Sequence, residues 1–136
     1  MKQVFADTGY WIALLNPRDE LHERAGAVSL TLTSTQIVTT EWVLTELLNS
    51  FAERGPQFRI VAAKTVAALR KNPRVLVVLQ SSASFDAAFQ LYQDRTDKSW
   101  SLTDCSSFLV MQQYGIDSAL TYDRHFEQAH FKALLR

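Results

Sequence analysis

The sequence predicts an α/β fold, a three-layer α/β/α sandwich with a central, mostly parallel sheet. Three observations carry this. Short apolar or β-branched runs of strand length alternate with longer segments whose apolar residues recur at helical spacing. One run, Val75-Leu76-Val77-Val78-Leu79, is continuously apolar, as in a parallel strand buried on both faces. No repeat, low-complexity tract or linker divides the 136 residues, so 1–136 reads as a single domain.

In chain order, the run through Val4-Phe5-Ala6 reads as a strand that stops at Asp7. Thr8 and Gly9 lead into Tyr10-Trp11-Ile12-Ala13-Leu14-Leu15, which has helical spacing. The turn Asn16-Pro17-Arg18-Asp19-Glu20 initiates a second helix bearing Leu21, Ala25, Val28 and Leu32. Gln36 to Thr40 is a short β-branched strand, running directly into a helix from Glu41 to Phe51 capped by Thr39 or Thr40. Gly55-Pro56 ends that helix, and Gln57 to Lys71 forms the next, stopped by Asn72-Pro73. After Val75–Leu79 comes a helix from Ser81 to Gln93, then a polar connector from Asp94 to Ser101. Leu102 to Tyr114 is helical, with Gly115 where a C-cap glycine belongs. Ser118 to Tyr122 is the last clear strand, followed by a short helical turn at Asp123-Arg124-His125-Phe126 and an apolar tail around Phe131, Leu134 and Leu135.

Composition narrows the function classes. Apolar residues make up 47% and charged residues 21%, a globular balance with no sign of disorder. Apolar runs fall far short of the roughly 20 residues that span a bilayer, and the N-terminal residues do not resemble a secretory signal. A soluble, cytoplasmic protein without membrane partners is expected. The single cysteine, Cys105, excludes an internal disulfide and a four-cysteine zinc site. Basic and acidic residues balance at 14 each, so attraction to nucleic acid would have to come from local basic groups or bound cations.

Four carboxylates fall at related places on this outline. Asp7 ends the first strand, Glu46 lies within the helix that leaves the second, Asp104 is in the first turn of a later helix, and Asp123 follows the last clear strand. In a parallel sheet Asp7 and Asp123 share the edge where ligands bind, and both helices start from it. Each acid also has a plainer reading. Asp7 would serve as a helix cap, Glu46 as a surface residue and Asp123 as a turn opener, while Ser101-Leu102-Thr103-Asp104 matches a capping box. Glu41, Asp97 and Asp117 read as surface or turn acids. Carboxylates gathered without a lysine or arginine would raise one another's pKa, and a hard divalent cation resolves that. Held by carboxylates, such a cation suits in-line phosphoryl displacement, the chemistry of a nuclease.

Taken together, Val4-Phe5-Ala6-Asp7-Thr8, the helix from Thr40 to Glu46, Trp100-Ser101-Leu102-Thr103-Asp104 and Leu120-Thr121-Tyr122-Asp123-Arg124-His125-Phe126 resemble the PIN-domain family. The likeness is greatest to stand-alone members such as VapC-type toxins of type II toxin–antitoxin pairs. It covers essentially the whole chain, with the motifs in order. It implies that Asp7, Glu46, Asp104 and Asp123 are catalytic and hold Mg²⁺ or Mn²⁺, one or two ions per site, for RNA hydrolysis, with Thr8 and Thr121 in support. It further implies a homodimer and an antitoxin partner. Many members carry another acid after the Asp104 position, where this chain has Cys105-Ser106-Ser107-Phe108.

Arg124 and His125 stand beside Asp123 as candidate RNA contacts, and Lys98 and Trp100 would add charge and base stacking from the connector. His22, His125 and His130 show no zinc-ligand spacing, and the four glycines form no phosphate-binding loop. A Cys105–His125 nucleophile pair has little to recommend it, since a lone helical cysteine is usually a small buried hydrophobe. Two rival functions compete with the nuclease. A phospho-acceptor receiver domain needs adjacent acids after the first strand and a late lysine, and this chain has Asp7 alone and no lysine after Leu120 until Lys132 in the tail. A non-catalytic PIN-like scaffold or RNA-binding module would have no need of all four acids.

Overall fold

The computed structural model describes residues 2–136. Strands β1 (Lys2–Ala6), β2 (Thr35–Thr40), β3 (Val75–Val78), β4 (Ser118–Leu120) and β5 (Lys132–Ala133) form one sheet in the order β3-β2-β1-β4-β5. Every pairing is parallel, with Val4 opposite Ile37, Val38 opposite Leu76, and Ala6 opposite Leu120. Parallel neighbours need crossovers, and right-handed crossovers lay helices on both faces. Those helices are α1 (Thr8–Leu15), α2 (His22–Ser29), α3 (Glu41–Phe51), α4 (Pro56–Lys71), α5 (Ser82–Asp94), α6 (Leu102–Tyr114) and α7 (Arg124–Gln128). This is the expected α/β/α sandwich.

The order places the topological switch between β1 and β4. The chain leaves β1 for β2 on one side, while β4 pairs with β1 on the other. Ligand crevices in open α/β sheets form at the carboxyl ends of the strands flanking such a switch. Asp7 and Asp123 follow those two strands, and the Asp7 backbone N–H donates to the Leu120 carbonyl at 3.3 Å.

The core explains why the central strands stay dry. Val4, Phe5 and Ala6 of β1 are buried together with Leu47 and Phe51 of α3, Phe108 and Met111 of α6, and Phe126 of α7. Phe108 sits edge-on to both Trp100 and Phe126, with ring centroids 4.9 and 5.0 Å away. Trp11 packs on Tyr10, and Phe58 stacks on Phe51, so these aromatics belong to the core. Trp42 instead stacks on Phe85, which stacks on Phe89 in turn, an aromatic row that is half open to solvent.

Three details depart from the sequence reading. Val75–Val78 is an edge strand and only half-buried, because β3 has a neighbour on one side alone. The apolar tail contains β5, a two-residue strand too short for any side-chain period to announce. Gly55-Pro56 does not terminate α3, which already ends at Phe51, but starts α4: Gly55 takes φ 93°, a conformation that favours glycine, and Pro56 occupies the first turn.

Candidate active site

Each acid reaches the edge by a local rule. The backbone of Asp7 caps α1, whereas its side chain makes no capping bond and accepts a hydrogen bond from Thr121 Oγ1 at 3.0 Å. Thr40 caps α3 by accepting from the Val43 N–H, which orients the helix carrying Glu46. Thr8 Oγ1 donates to Glu46 Oε1 at 2.6 Å, tying the residue after Asp7 to the second acid. Ser101 and Asp104 form a capping box, with Asp104 Oδ2 accepting from the Ser101 N–H at 3.1 Å. Asp123 caps α7 by accepting from the His125 N–H, and its own N–H donates to Thr121 Oγ1 at 3.1 Å. Thr121 therefore bridges Asp7 and Asp123.

The electrostatics follow from the crowding. Burial pushes the Asp7 carboxyl up to about 7, and the nearby charges of Asp104 and Glu46 push the same way, against hydrogen bonds from the Thr8 backbone and Thr121. Burial also raises Asp104, with the Asp123 charge adding to it and the Ser101 and His125 bonds opposing. Among the described residues no lysine or arginine ion-pairs with any of the four acids. The basic group present is His125, whose Nδ1 lies 2.9 Å from Asp104 Oδ2 and 3.4 Å from Asp123 Oδ1.

At this edge the charges of Asp104 and Glu46 act on Asp7 and that of Asp123 on Asp104, with Thr8 bonded to Glu46 and Thr121 to Asp7 and Asp123; Asp7 and Glu46 lie outside the tightest group. The edge also draws in His125, which the sequence suggested only as an RNA contact. Asp104, Asp123 and His125 offer ligand atoms within 4.8 Å of one another, a spacing that suits one cation. No motif announces the histidine, because its approach to Asp104 depends on where α7 packs. Oxygen donors in excess, a buried carboxyl raised to about 7 and no paired lysine or arginine among the described residues together make this donor set fit a hard divalent ion. One turn beyond Asp104, in the segment that carries no further acid, the Ser107 hydroxyl is buried without a partner.

The other candidates lie around the cluster. Arg124 is exposed at the start of α7. Lys98 is half-buried, 3.8 Å from Asp97. Trp100 is 7% exposed, donates from Nε1 to Gln128 and packs against Phe108, which leaves its ring little area for a base. Glu41, Asp97 and Asp117 stand apart from the cluster, bonded to Gln80, Arg95 and Ser118 respectively. Cys105 is fully buried and its thiol is pushed up, so it is no nucleophile.

A parallel sheet in this order, with acids converging across its switch point, defines the class. The PIN domain profile matches residues 4–132, and the chain belongs to the PIN-domain family. Within that family it is similar to the 23S rRNA-specific endonuclease VapC20 of two Mycobacterium tuberculosis strains, CDC 1551 / Oshkosh and ATCC 25618 / H37Rv. The identity is 28% over 133 residues, covering 94% of this chain and 95% of each relative. The crystal structure of M. tuberculosis VapC20, described as a sarcin-ricin loop cleaving toxin, superposes with a TM-score of 0.84 at 26% identity. That match covers 94% of this chain and 95% of the other.

Proposed function

We propose that the chain, acting over 1–136 as one nuclease domain, is a metal-dependent endoribonuclease and the toxin of a type II toxin–antitoxin pair. The observation that carries this is the convergence of four carboxylates at the β1–β4 switch point with no lysine or arginine paired to them. The similarity to VapC20, named for cutting 23S rRNA, supports RNA as the substrate and makes 23S rRNA the first one to test.

Asp7, Glu46, Asp104 and Asp123 would hold Mg²⁺ or Mn²⁺, one or two ions, with His125 beside them. When bound, such a cation lowers the pKa of a coordinated water and offsets charge on the phosphate. The chain's own groups do the rest. Thr8 fixes the Glu46 carboxylate, and Thr121 fixes Asp7 while holding the Asp123 backbone. His125 Nδ1 lies 2.9 Å from Asp104 Oδ2 and donates to it whenever that carboxyl is ionised, because a carboxylate only accepts. Arg124 and Lys98, which bracket Asp104 and Asp123 in sequence, draw in the RNA backbone past the acidic edge.

An antitoxin and a second copy of the chain complete the reading as partners. Exposed Leu48, Ile60 and Val61 on α3 and α4, with Phe85 and Phe89 on α5, supply apolar area for them. Action in the cytoplasm is part of the same proposal; among the described residues no helix is long and apolar enough to cross a membrane.

The test is cleavage of single-stranded RNA and of 23S rRNA by purified protein with Mg²⁺, with Mn²⁺ and with EDTA, beside Asp7→Asn. Cutting that needs the metal and is lost in the variant is the expected result. Cutting that survives both EDTA and the substitution would sink the mechanism, and no cutting by folded, partner-free protein would favour the scaffold.

A further inference from the structure

The connector between α5 and α6 walls a cavity of about 380 Å³, lined by Tyr92, Arg95, Lys98, Trp100 and Cys105 among others. It adjoins the acidic edge: Trp100 precedes the Ser101 cap, and the Asp104 charge acts on the Cys105 thiol at the cavity wall. The Arg95 guanidinium lies over the Trp100 ring, 4.8 Å from its centroid. Trp100 is itself pinned by Gln128 and Phe108, so the guanidinium rests on a fixed support. Arg95 presents its Nε and Nη2 donors as a fork, and the Asp97 carboxylate takes both at 3.0 and 3.1 Å. Lys98 Nζ stands 3.8 Å from the same carboxylate. Tyr92 adds an exposed aromatic face.

Arg95 and Lys98 line this cavity while the one carboxylate they share, Asp97, does not, so its wall is positive beside a cluster that would repel RNA. The Asp97 side chain is 60% exposed, and an exposed ion pair of this kind is weak and exchangeable. A phosphodiester offers the same pair of anionic oxygens to an arginine fork. We propose that the cavity is a subsite for one nucleotide of the RNA strand flanking the scissile bond. Its phosphate displaces Asp97 from Arg95 and Lys98, and its base lies against Tyr92. Asp97 is then a built-in competitor that keeps the fork aligned when no RNA is bound. The proposal rests on the nuclease reading above.

Opposite signs at neighbouring residues make it testable. Binding of a short, labelled, single-stranded ribo-oligonucleotide is followed by anisotropy with Mg²⁺ present, in the Asp7→Asn background so that nothing is cut. Arg95→Ala and Lys98→Ala should each weaken binding by about fivefold, and each should reduce the salt slope by about 0.7. Asp97→Ala should tighten binding by about two- to fivefold. Glu53→Ala, the same charge change just beyond the far end of α3, should not, and the gain from Asp97→Ala should vanish when Arg95→Ala is added. Arg95→Lys keeps the charge without the fork and should fall between, which separates phosphate contact from lost cover over Trp100. Binding indifferent to Arg95 and Lys98, or equal tightening by Asp97→Ala and Glu53→Ala, would overturn the subsite. Cleavage by the wild-type chain alongside such indifference removes the subsite alone; Arg95-dependent binding by a chain that never cuts removes the nuclease reading instead.

Discussion

Thr121 Oγ1 donates to Asp7 Oδ2 at 3.0 Å across 114 positions of sequence, and the same oxygen accepts the Asp123 N–H. One hydroxyl thus sets the position of acids from two strands. Thr121→Val keeps the shape and deletes both bonds. Cleavage should fall by about 10- to 100-fold, as for other groups that orient metal ligands. The Thr121 bond also lowers the Asp7 carboxyl, so the acid limb of the pH–rate profile should move to higher pH in the variant. Thr121→Ser should restore both. A lower rate with an unmoved profile would assign Thr121 a purely structural role.

Asp7 itself should cost the metal-free protein stability. Its carboxyl is raised from 3.8 to about 7, so the folded state holds that proton more tightly than the unfolded state. Stability from this group is fully present below about pH 4 and is lost as pH rises through about 7. The full rise corresponds to about 4 kcal/mol, and about half of that surviving relaxation is a reasonable expectation. In EDTA, Asp7→Asn should therefore be more stable than wild type at pH 8 by about 2–4 kcal/mol, with the difference closing near pH 4. Added Mg²⁺ should narrow the gap at pH 8. Denaturant melts at the two pH values measure it, and equal stability at both would mean that Asp7 is not held against its charge.

The acids were legible because each sits where chain grammar puts it, after a parallel strand or in a helix's opening turns. Asp104 shows why the plainer reading was no rival: the same Oδ2 that closes the capping box also meets His125. Other features were not written locally. The Thr8–Glu46 bond joins residues 38 apart, and β5 is a strand only because β4 offers it an edge. The sequence offers Trp100 as a stacking platform, and only its packing on Phe108 makes it a core anchor. Arg95 carried no signal, since an arginine in a polar connector becomes a fork only over a fixed ring.

Phe108 holds the two halves of the site to one core. It is 1% exposed and touches Trp100, Phe126 and Phe131. Phe108→Ala should cost about 3–5 kcal/mol in chemical denaturation, from lost burial plus a cavity. Phe108→Leu, which keeps most of the volume, should cost under about 2 kcal/mol. If the alanine variant lost less than about 1 kcal/mol, α6 and α7 would not be packed as described.

His125 is the histidine that the acids enclose, and two roles for it predict opposite results. Its Nδ1–H can hold the Asp104 carboxylate in place for a cation, or its charge can stand in for one. The 2.9 Å bond to Asp104 Oδ2, the shorter of its two approaches, together with the neighbouring backbone bond from its own N–H to Asp123, favours the first. His125→Ala should then weaken Mg²⁺ binding by about tenfold, as loss of a ligand-orienting partner does. His125→Gln, which retains an N–H donor, should recover part of it. Calorimetric titration of Mg²⁺ into the RNA-free protein reads this without any cleavage assay. Tighter Mg²⁺ binding by His125→Ala would show that the imidazolium occupies the cation's place and must leave before the metal enters.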